Sequence, residues 1–414
     1  MTASGAGLAA GGGPRRILGN LDAEADLAGL ATSWSPRPSL RRPAFSRAAL
    51  LSLSGAATLL RAFARDGDRL WTPVPVDPRR LAEVPGLPVP QLESGPLRAL
   101  PPAADLLAWA ETPQALALRG APPAPAAPAA IESPAERPPL HDLLWRLSPA
   151  APEVVATVHH RAFGLAVAQG LGQALPGARM VDSPAALESH LGAWESRGSR
   201  APGGWVVKAP LSGAGRSRHI ERSLEPTLSA EARQRVRRLL SLHGPLLFEP
   251  WMERLEDLGC AVLLLPTETW LAGFHRQFVD PDGRFRGVEL AAESAGIDRP
   301  DDFTARLLLA TAVMHTGECL EQAGYRGPFG IDAFLHRLPD GSTALHPLCE
   351  VNARMTFGLV ARTLVDRLRE PLGIAKTARV RLLFGRQVPR QDAVPLLLPG
   401  TEAGCGAAWL EIVG

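Results

Sequence analysis

The chain has 414 residues, 44 Lys+Arg against 42 Asp+Glu, a net charge of +2 and 46% apolar side chains. That length holds about two to four domains or subdomains with ample core. The near-neutral balance excludes recruitment to nucleic acid or an acidic membrane by bulk charge, and the scattered Cys260, Cys319, Cys349 and Cys405 exclude a CxxC zinc site or disulfide framework. No run reaches transmembrane length and no apolar signal core opens the chain, so a reducing cytoplasm is the expected compartment.

Residues 1–14 are small and Gly-rich, a composition expected to stay unstructured. RRILGNLD (15–22) reads as a short strand ending at Gly19-Asn20, where the backbone can approach a ligand or make an ordinary turn. A helix over 55–65 and a strand in DRLWTPVPV complete a small α/β domain ending near Leu118. The Pro/Ala-rich stretch 120–139 predicts an extended linker or exposed loop. A helix from Arg161 to Leu175, a strand, and a helix over 183–198 with Ser183 as N-cap follow.

WVVKA then predicts a strand presenting Lys208, and Ser212, Gly213, Gly215 and Ser217 form a loop whose N–H groups can cradle phosphate. The order is lysine before glycines, so this is no GxxxxGK[ST] loop, and a hairpin turn beside a surface lysine is the bland alternative. A basic helix (229–243) and the strand LLFEPW come next; Pro250 interrupts the strand, and Trp251 and Met252 offer apolar walls or simply core. Asp257 is a candidate ribose-binding acid or a surface carboxylate. CAVLLLP, TETWLAGFHRQFVD and GRFRGVEL predict an antiparallel meander with a turn at 281–283, and 301–324 a long helix capped by Asp301 and stopped by Gly324.

Two strands, FGIDAFL and TALHPLCEVNAR, follow across a Pro-Asp-Gly turn. Glu350 and Asn352 are two apart and so share a strand face; with Asp332 they form an all-oxygen donor set suited to Mg²⁺. Only two asparagines (Asn20, Asn352) and two lysines (Lys208, Lys376) occur, against 42 arginines, so each survivor draws attention. An apolar-faced helix after Arg354 packs on these strands. His159, His160, His219 and His275 lack metal spacing or a nucleophile motif and read as ordinary polar residues, and Ser212 has no GxSxG context.

Taken in order, the lysine strand, glycine loop, Glu-Pro-Trp-Met break, Gly-Ile-Asp strand and Glu-Val-Asn-Ala-Arg strand resemble ATP-grasp enzymes over roughly 155–370. The resemblance implies an α/β (α+β) architecture: a pre-ATP-grasp domain followed by a two-subdomain ATP-grasp fold whose antiparallel sheets clamp the nucleotide. The expected divisions are 1–119, the linker 120–139, a central subdomain 140–200, a lid 201–250 and a metal-bearing subdomain 251–414. By the same resemblance Lys208 contacts the α/β-phosphates, and the loop from Ser212 to Ser217, with Gly213 and Gly215, closes over the triphosphate. Glu249 accepts from the adenine amino group, the backbone of Trp251 and Met252 meets the ring, and Asp257 meets the ribose. Asp332, Glu350 and Asn352 hold two Mg²⁺ ions, with Mn²⁺ the alternative, and Arg354 stabilises the transferred phosphoryl group. Arg161 stands where many relatives place a second phosphate-binding lysine, and an arginine keeps the charge with different geometry.

The implied chemistry is ATP-dependent activation of a carboxylate as an acyl phosphate, then attack by an amine or thiol, on small-molecule or peptide substrates. A phosphotransferase using the same machinery and a nucleotide-binding module without turnover remain open at this point. Asn20, Arg161 and Arg276 are candidate substrate contacts.

Overall fold

The computed structural model describes residues 15–30, 45–97, 105–119, 138–196, 203–213, 217–222, 225–280, 284–293, 302–386 and 392–414. Expectations for residues 1–14, for nearly all of the 120–139 linker, for Gly215, for the 281–283 turn and for the Asp301 cap lie outside these residues. No helix among them is long and apolar enough to cross a membrane.

The first layer is a four-stranded parallel sheet of β1 (Arg16–Leu18), β2 (Arg69–Thr72), β3 (Gln91–Ser94) and β4 (Leu106–Ala108), in the order β3-β2-β1-β4. Around it lie α1 (Ala23–Leu27), α2 (Arg47–Ala57), α3 (Pro113–Arg119) and the single turn α4 (Leu140–Leu143). The helix expected over 55–65 instead starts at Arg47, capped by Ser46, and continues as a 3₁₀ segment over 58–63. Gly55, which reads as a helix start, lies inside α2, where an added Cβ would come within 3.2 Å of Leu397. Tertiary contact, not local propensity, decides that position.

Next come α5 (Pro152–His159) and α6 (Arg161–Gly170), which are broken at His160; its extended backbone (ψ 135°) lets Nδ1 accept from the Ala162 N–H. A second, four-stranded antiparallel sheet joins β5 (Arg179–Val181), β6 (Trp205–Lys208), β7 (Arg218–Glu221) and β8 (Leu246–Pro250) in the order β5-β8-β6-β7. α7 (Pro184–Ser196) and α8 (Ala230–His243) cover it, with Ser183 capping as expected, Ser229 capping α8 and Gly244 ending α8 at φ 74°. The division expected at residue 200 falls inside this sheet, because β5 pairs with β8.

The third sheet has eight strands, in the order β13-β12-β9-β10-β11-β14-β16-β15. They are β9 (Arg254–Leu264), β10 (Thr269–Val279), β11 (Phe285–Ala291), β12 (Gly327–Arg337), β13 (Thr343–Asn352), β14 (Arg379–Gly385), β15 (Val394–Leu397) and β16 (Ala407–Val413). α9 (Asp302–Gln322) packs on one face, and α10 (Phe357–Leu368), capped by Thr356, buries Leu359, Val360, Leu364, Val365 and Leu368 on the other. Those side chains join Leu59, Leu60, Phe63 and Leu382 in one apolar cluster, so the N-terminal α/β segment shares its core with the large sheet. That shared core brings the N-terminal segment up to the strands that carry Asp332 and Glu350.

Asn20 closes the end of β1. It is 1% exposed, its Nδ2 donates to the Ala110 carbonyl (2.9 Å), and its Oδ1 accepts from the Ala110 N–H (3.3 Å). This is a backbone clamp in place of the substrate contact considered from sequence. Asn20→Ala should cost about 1–3 kcal/mol in chemical denaturation, because it strands a buried peptide group; an unchanged unfolding midpoint would remove this role.

Candidate active site

β12 and β13 pair antiparallel with Asp332 directly opposite Glu350 and Gly330 opposite Asn352, so the three expected metal-ligand side chains meet where the end of β13 lies beside the middle of β12. Asp332 Oδ1 accepts from Gln277 Nε2 (2.6 Å) and Oδ2 from Asn352 Nδ2 (3.0 Å). Burial and then the Glu350 charge push Asp332 up to about 6, against those hydrogen bonds. Burial alone would also push Glu350 up; Arg161, Lys208 and His159 outweigh it and hold the carboxyl below its ordinary value.

Arg161, the first residue of α6, is buried to 9% exposure and carries most of the cross-links. Its Nη1 donates to the Ala209 carbonyl and to Ser212 Oγ (3.0 Å), and its Nη2 to the Ser212 carbonyl (3.1 Å). The same Nη2 reaches both Glu350 oxygens at 2.9 Å. One guanidinium thus ties the loop after β6 to the metal-candidate strand, a planar fork's task that a lysine cannot do.

Lys208 and Glu249 lie diagonally on neighbouring strands β6 and β8 and form a buried ion pair. The lysine assigned to phosphate and the acid assigned to adenine therefore touch each other. Cys349 Sγ lies 3.8 Å from Lys208 Nζ and 3.7 Å from Arg254 Nη2; burial pushes this thiol up although both cations pull it down. Arg254 also binds Asp257 (2.7 Å). Trp251 sits beneath the Arg218 and Arg254 guanidinia at 5.8 and 5.6 Å from its ring centroid, and Met252 packs against the core of the β5–β8 sheet.

A cleft of about 260 Å³ runs along these groups. Arg161, Lys208, Ser212, Gly213, Asp257, Asp332, Glu350, Asn352 and Arg354 line it; Glu249, Trp251 and Met252 do not. Arg276 does not line it, because it lies on the opposite sheet face with Glu256 and Glu289.

Sequence reasoning missed Glu24 on α1. Its carboxylate accepts from Arg354 Nε (3.1 Å), with His159 Nε2 at 3.7 Å. Burial alone would push it up; Arg354 and then His159 hold it far below the usual carboxylate range. Arg354 Nη2 also donates to the side-chain Oδ1 of Asn352 (3.1 Å), and its guanidinium rests over Trp109 at 5.2 Å. His159 Nδ1 accepts from the Ala353 N–H (3.1 Å), which leaves Nε2 to carry the proton toward Glu24. LDAEADL reads as any acidic first turn, and nothing local marks Glu24 as the partner of a residue 330 positions away. Gln277 was legible in principle: it pairs with Asp257 in the β9–β10 ladder and shares the cleft face.

Among the described residues no three His, Cys, Asp or Glu side chains gather into a metal-holding group, so any divalent ion here rests on two carboxylates and an amide. The set fits a hard cation. Every donor is oxygen, and a cation relieves both the burial of the Asp332 charge and the Glu350 repulsion that together raise it.

Arg161→Ala should destabilise the protein at pH 7 by about 3 kcal/mol or more, since it leaves Glu350 buried and unpaired. A carboxyl held low contributes stability above its unfolded pKa and loses it on acidification. The deficit against wild type should therefore shrink as pH falls through the carboxylate range, as measured by urea unfolding at pH 7 and pH 4. A pH-independent deficit would mean that Arg161 acts through packing alone.

No protein-family profile matches the chain. A curated protein of Niallia circulans, [butirosin acyl-carrier protein]–L-glutamate ligase, is 29% identical over 111 residues, 27% of this chain and 24% of that protein. The match thus spans about a quarter of that relative's length. Among solved structures, phosphoribosylamine–glycine ligase of Thermotoga maritima aligns with 64% of this chain and 72% of its own at 15% identity and TM-score 0.44. The L-amino acid ligase of Bacillus licheniformis aligns with 64% and 69% at 14% identity and TM-score 0.39. A protein of Archaeoglobus fulgidus provisionally assigned to the ATP-grasp superfamily aligns with 64% and 66% at 13% identity and TM-score 0.36. The mixed α/β chain, with its parallel N-terminal sheet and large antiparallel sheet, is similar to ATP-grasp proteins.

Proposed function

We propose that the protein is an ATP-dependent ligase of ATP-grasp type that activates a carboxylate and joins it to an amine or thiol. The observation that carries this reading is the convergence of Lys208, Asp332, Glu350, Asn352 and Arg354 on one cleft between the lid sheet and the large sheet. The nucleotide lies along the Lys208 side, its phosphates directed at Asp332 and Glu350, with Asp257 toward the ribose. Glu249 and the backbone at Trp251 and Met252 serve the adenine edge.

On this reading the nucleotide competes for the ion pairs of Lys208 and Arg161. Lys208 turns from Glu249 toward phosphate oxygens, which frees the Glu249 carboxylate to accept from the adenine amino group. Arg161 shares its fork between Glu350 and the terminal phosphate. Asp332, Glu350 and Asn352 would hold Mg²⁺, which neutralises phosphate charge when bound. Two carboxylate oxygens offer about four lone-pair directions, so Glu350 can keep Arg161 and still ligate.

A substrate carboxylate beside Arg354 attacks the γ-phosphorus; the bond to the bridging oxygen breaks and ADP leaves with that electron pair. The nucleophile then adds to the acyl carbon, loses a proton and expels inorganic phosphate. Arg354 stabilises the charge that develops on the phosphoryl oxygens, and the loop at Ser212–Gly213 shields the acyl phosphate from water. The curated relative is by its name an L-glutamate ligase, which supports bond formation over bare phosphorylation.

Glu350→Gln should abolish ADP release, and Asn352→Ala should weaken ATP binding by calorimetry with Mg²⁺ but not without it. With hydroxylamine as nucleophile the wild type should yield a hydroxamate. ADP without hydroxamate would point to a phosphotransferase, and normal turnover by Glu350→Gln would sink the metal assignment.

A further inference from the structure

We infer that the cleft continues past Arg354 into an apolar chamber that receives the side chain of the carboxylate substrate, and that this side chain is aromatic or branched aliphatic. The inference rests on the ligase reading and deepens it. The chamber wall is Leu21, Leu53, Trp109, Phe285, Val288 and Phe357, all of which line the same cleft as the phosphate and metal candidates. They come from separate parts of the chain: the turn after β1, α2, the segment after β4, β11 and the first residue of α10.

The wall is rigid. Trp109 and Phe357 lie 5.1 Å apart, Phe285 stacks on Phe357 at 5.5 Å, and Phe384 backs both phenyl rings at 4.9 and 5.7 Å. The Trp109 carbonyl accepts from the Met355 N–H at 3.0 Å, which fixes the indole against the segment that carries Arg354. Aromatic residues make up only 5% of the chain, yet three of the six wall residues are aromatic.

The burial pattern argues against a closed core. Leu21, Trp109 and Val288 are buried, whereas Leu53, Phe285 and Phe357 are half-buried and pack at the edge of the same apolar cluster. Their remaining surface faces the cleft, an arrangement that leaves apolar area unpartnered until a ligand covers it. The charged groups at the mouth are Arg354 and Glu24, held together at 3.1 Å. A carboxylate at Arg354 therefore places its α-substituent next to the indole and phenyl faces. Gln277, on the sheet floor, donates to Asp332 through Nε2, and the His275 imidazole, which also lines the cleft, is packed close beneath the Gly358 backbone.

The test offers the protein ATP, Mg²⁺, hydroxylamine and a panel of acids matched in length: phenylalanine, leucine and 3-phenylpropionate against glutamate, glutamine and lysine. The expected result is kcat/KM at least about 10-fold higher for the apolar acids, since one hydrophobic contact discriminates roughly 10- to 200-fold. Phe357→Ala and, independently, the half-buried Leu53→Ser should reduce that ratio about 10-fold, with Mg²⁺-ATP affinity reporting that each variant is folded. Calorimetric titration of 3-phenylpropionate onto the Mg²⁺-ATP-loaded protein gives a readout without turnover. Binding weakened by Phe357→Ala, with no ADP formed from any acid, would support the chamber while removing the ligase reading. ADP formed from polar acids, or equally from all, with no binding of 3-phenylpropionate, would overturn the chamber and leave the ligase reading standing. Absence of both binding and ADP would overturn the two together.

Discussion

The site depends on one buried guanidinium. Arg161 begins α6 and makes charge-assisted hydrogen bonds to Ala209 and Ser212 on one side and to both oxygens of Glu350 on the other. The β5–β8 sheet and the large sheet share no strand, so no hydrogen-bonded ladder joins them at the cleft. One buried nitrogen held between both Glu350 oxygens and the Ser212 carbonyl ties the loop to β13. The Arg161–Glu350 pair keeps Glu350 ionised in a place where burial opposes the charge.

A second tie brings the N-terminal segment to the same point. Glu24 pairs with Arg354, Trp109 lies under that guanidinium, and the Met355 N–H binds the Trp109 carbonyl. These contacts surround the residue that follows the Glu-x-Asn strand, so the parallel sheet contributes wall and counter-charge to a site whose metal candidates lie elsewhere. The shared apolar cluster under α10 makes this possible, because it holds the two sheets at a fixed separation.

How much of this was legible follows from the range of each interaction. Strand alternation placed Glu350 and Asn352 on one face, and the paired register adds Asp332 opposite Glu350. Caps at Ser183 and Ser229 and the stop at Gly244 are local signals and were readable. The scarcity of Asn and Lys was a weaker guide. Asn352 and Lys208 do line the cleft, yet Asn20 is a structural clamp and Lys376 is a surface ammonium, 72% exposed, beside Glu293. Glu24, Trp109 and the Arg161–Glu350 pair were not legible, because each depends on a tertiary approach between segments 189 or more positions apart or, for Trp109, on what packs above its ring. The start of α6 at Arg161 was readable, although the helix ends at Gly170 rather than Leu175, whereas α5 before it was not read and the His160 side-chain cap shows only in three dimensions.

The choice between arginine and lysine within the cleft follows from the shape of each partner set. Arg161 must reach two carbonyls, a hydroxyl and a carboxylate in several directions, and the two terminal nitrogens of a planar fork do so together. Lys208 faces a compact pair, the Glu249 carboxylate and the Cys349 sulfur, from the end of a four-residue strand buried along its whole length. A point charge on a flexible stem can turn from that pair to a phosphate by rotating a few bonds, whereas a guanidinium of fixed plane would have to vacate the space. In a chain that otherwise uses arginine almost everywhere, the ammonium at 208 is the cation best able to move, and the guanidinium at 161 the one best able to stay.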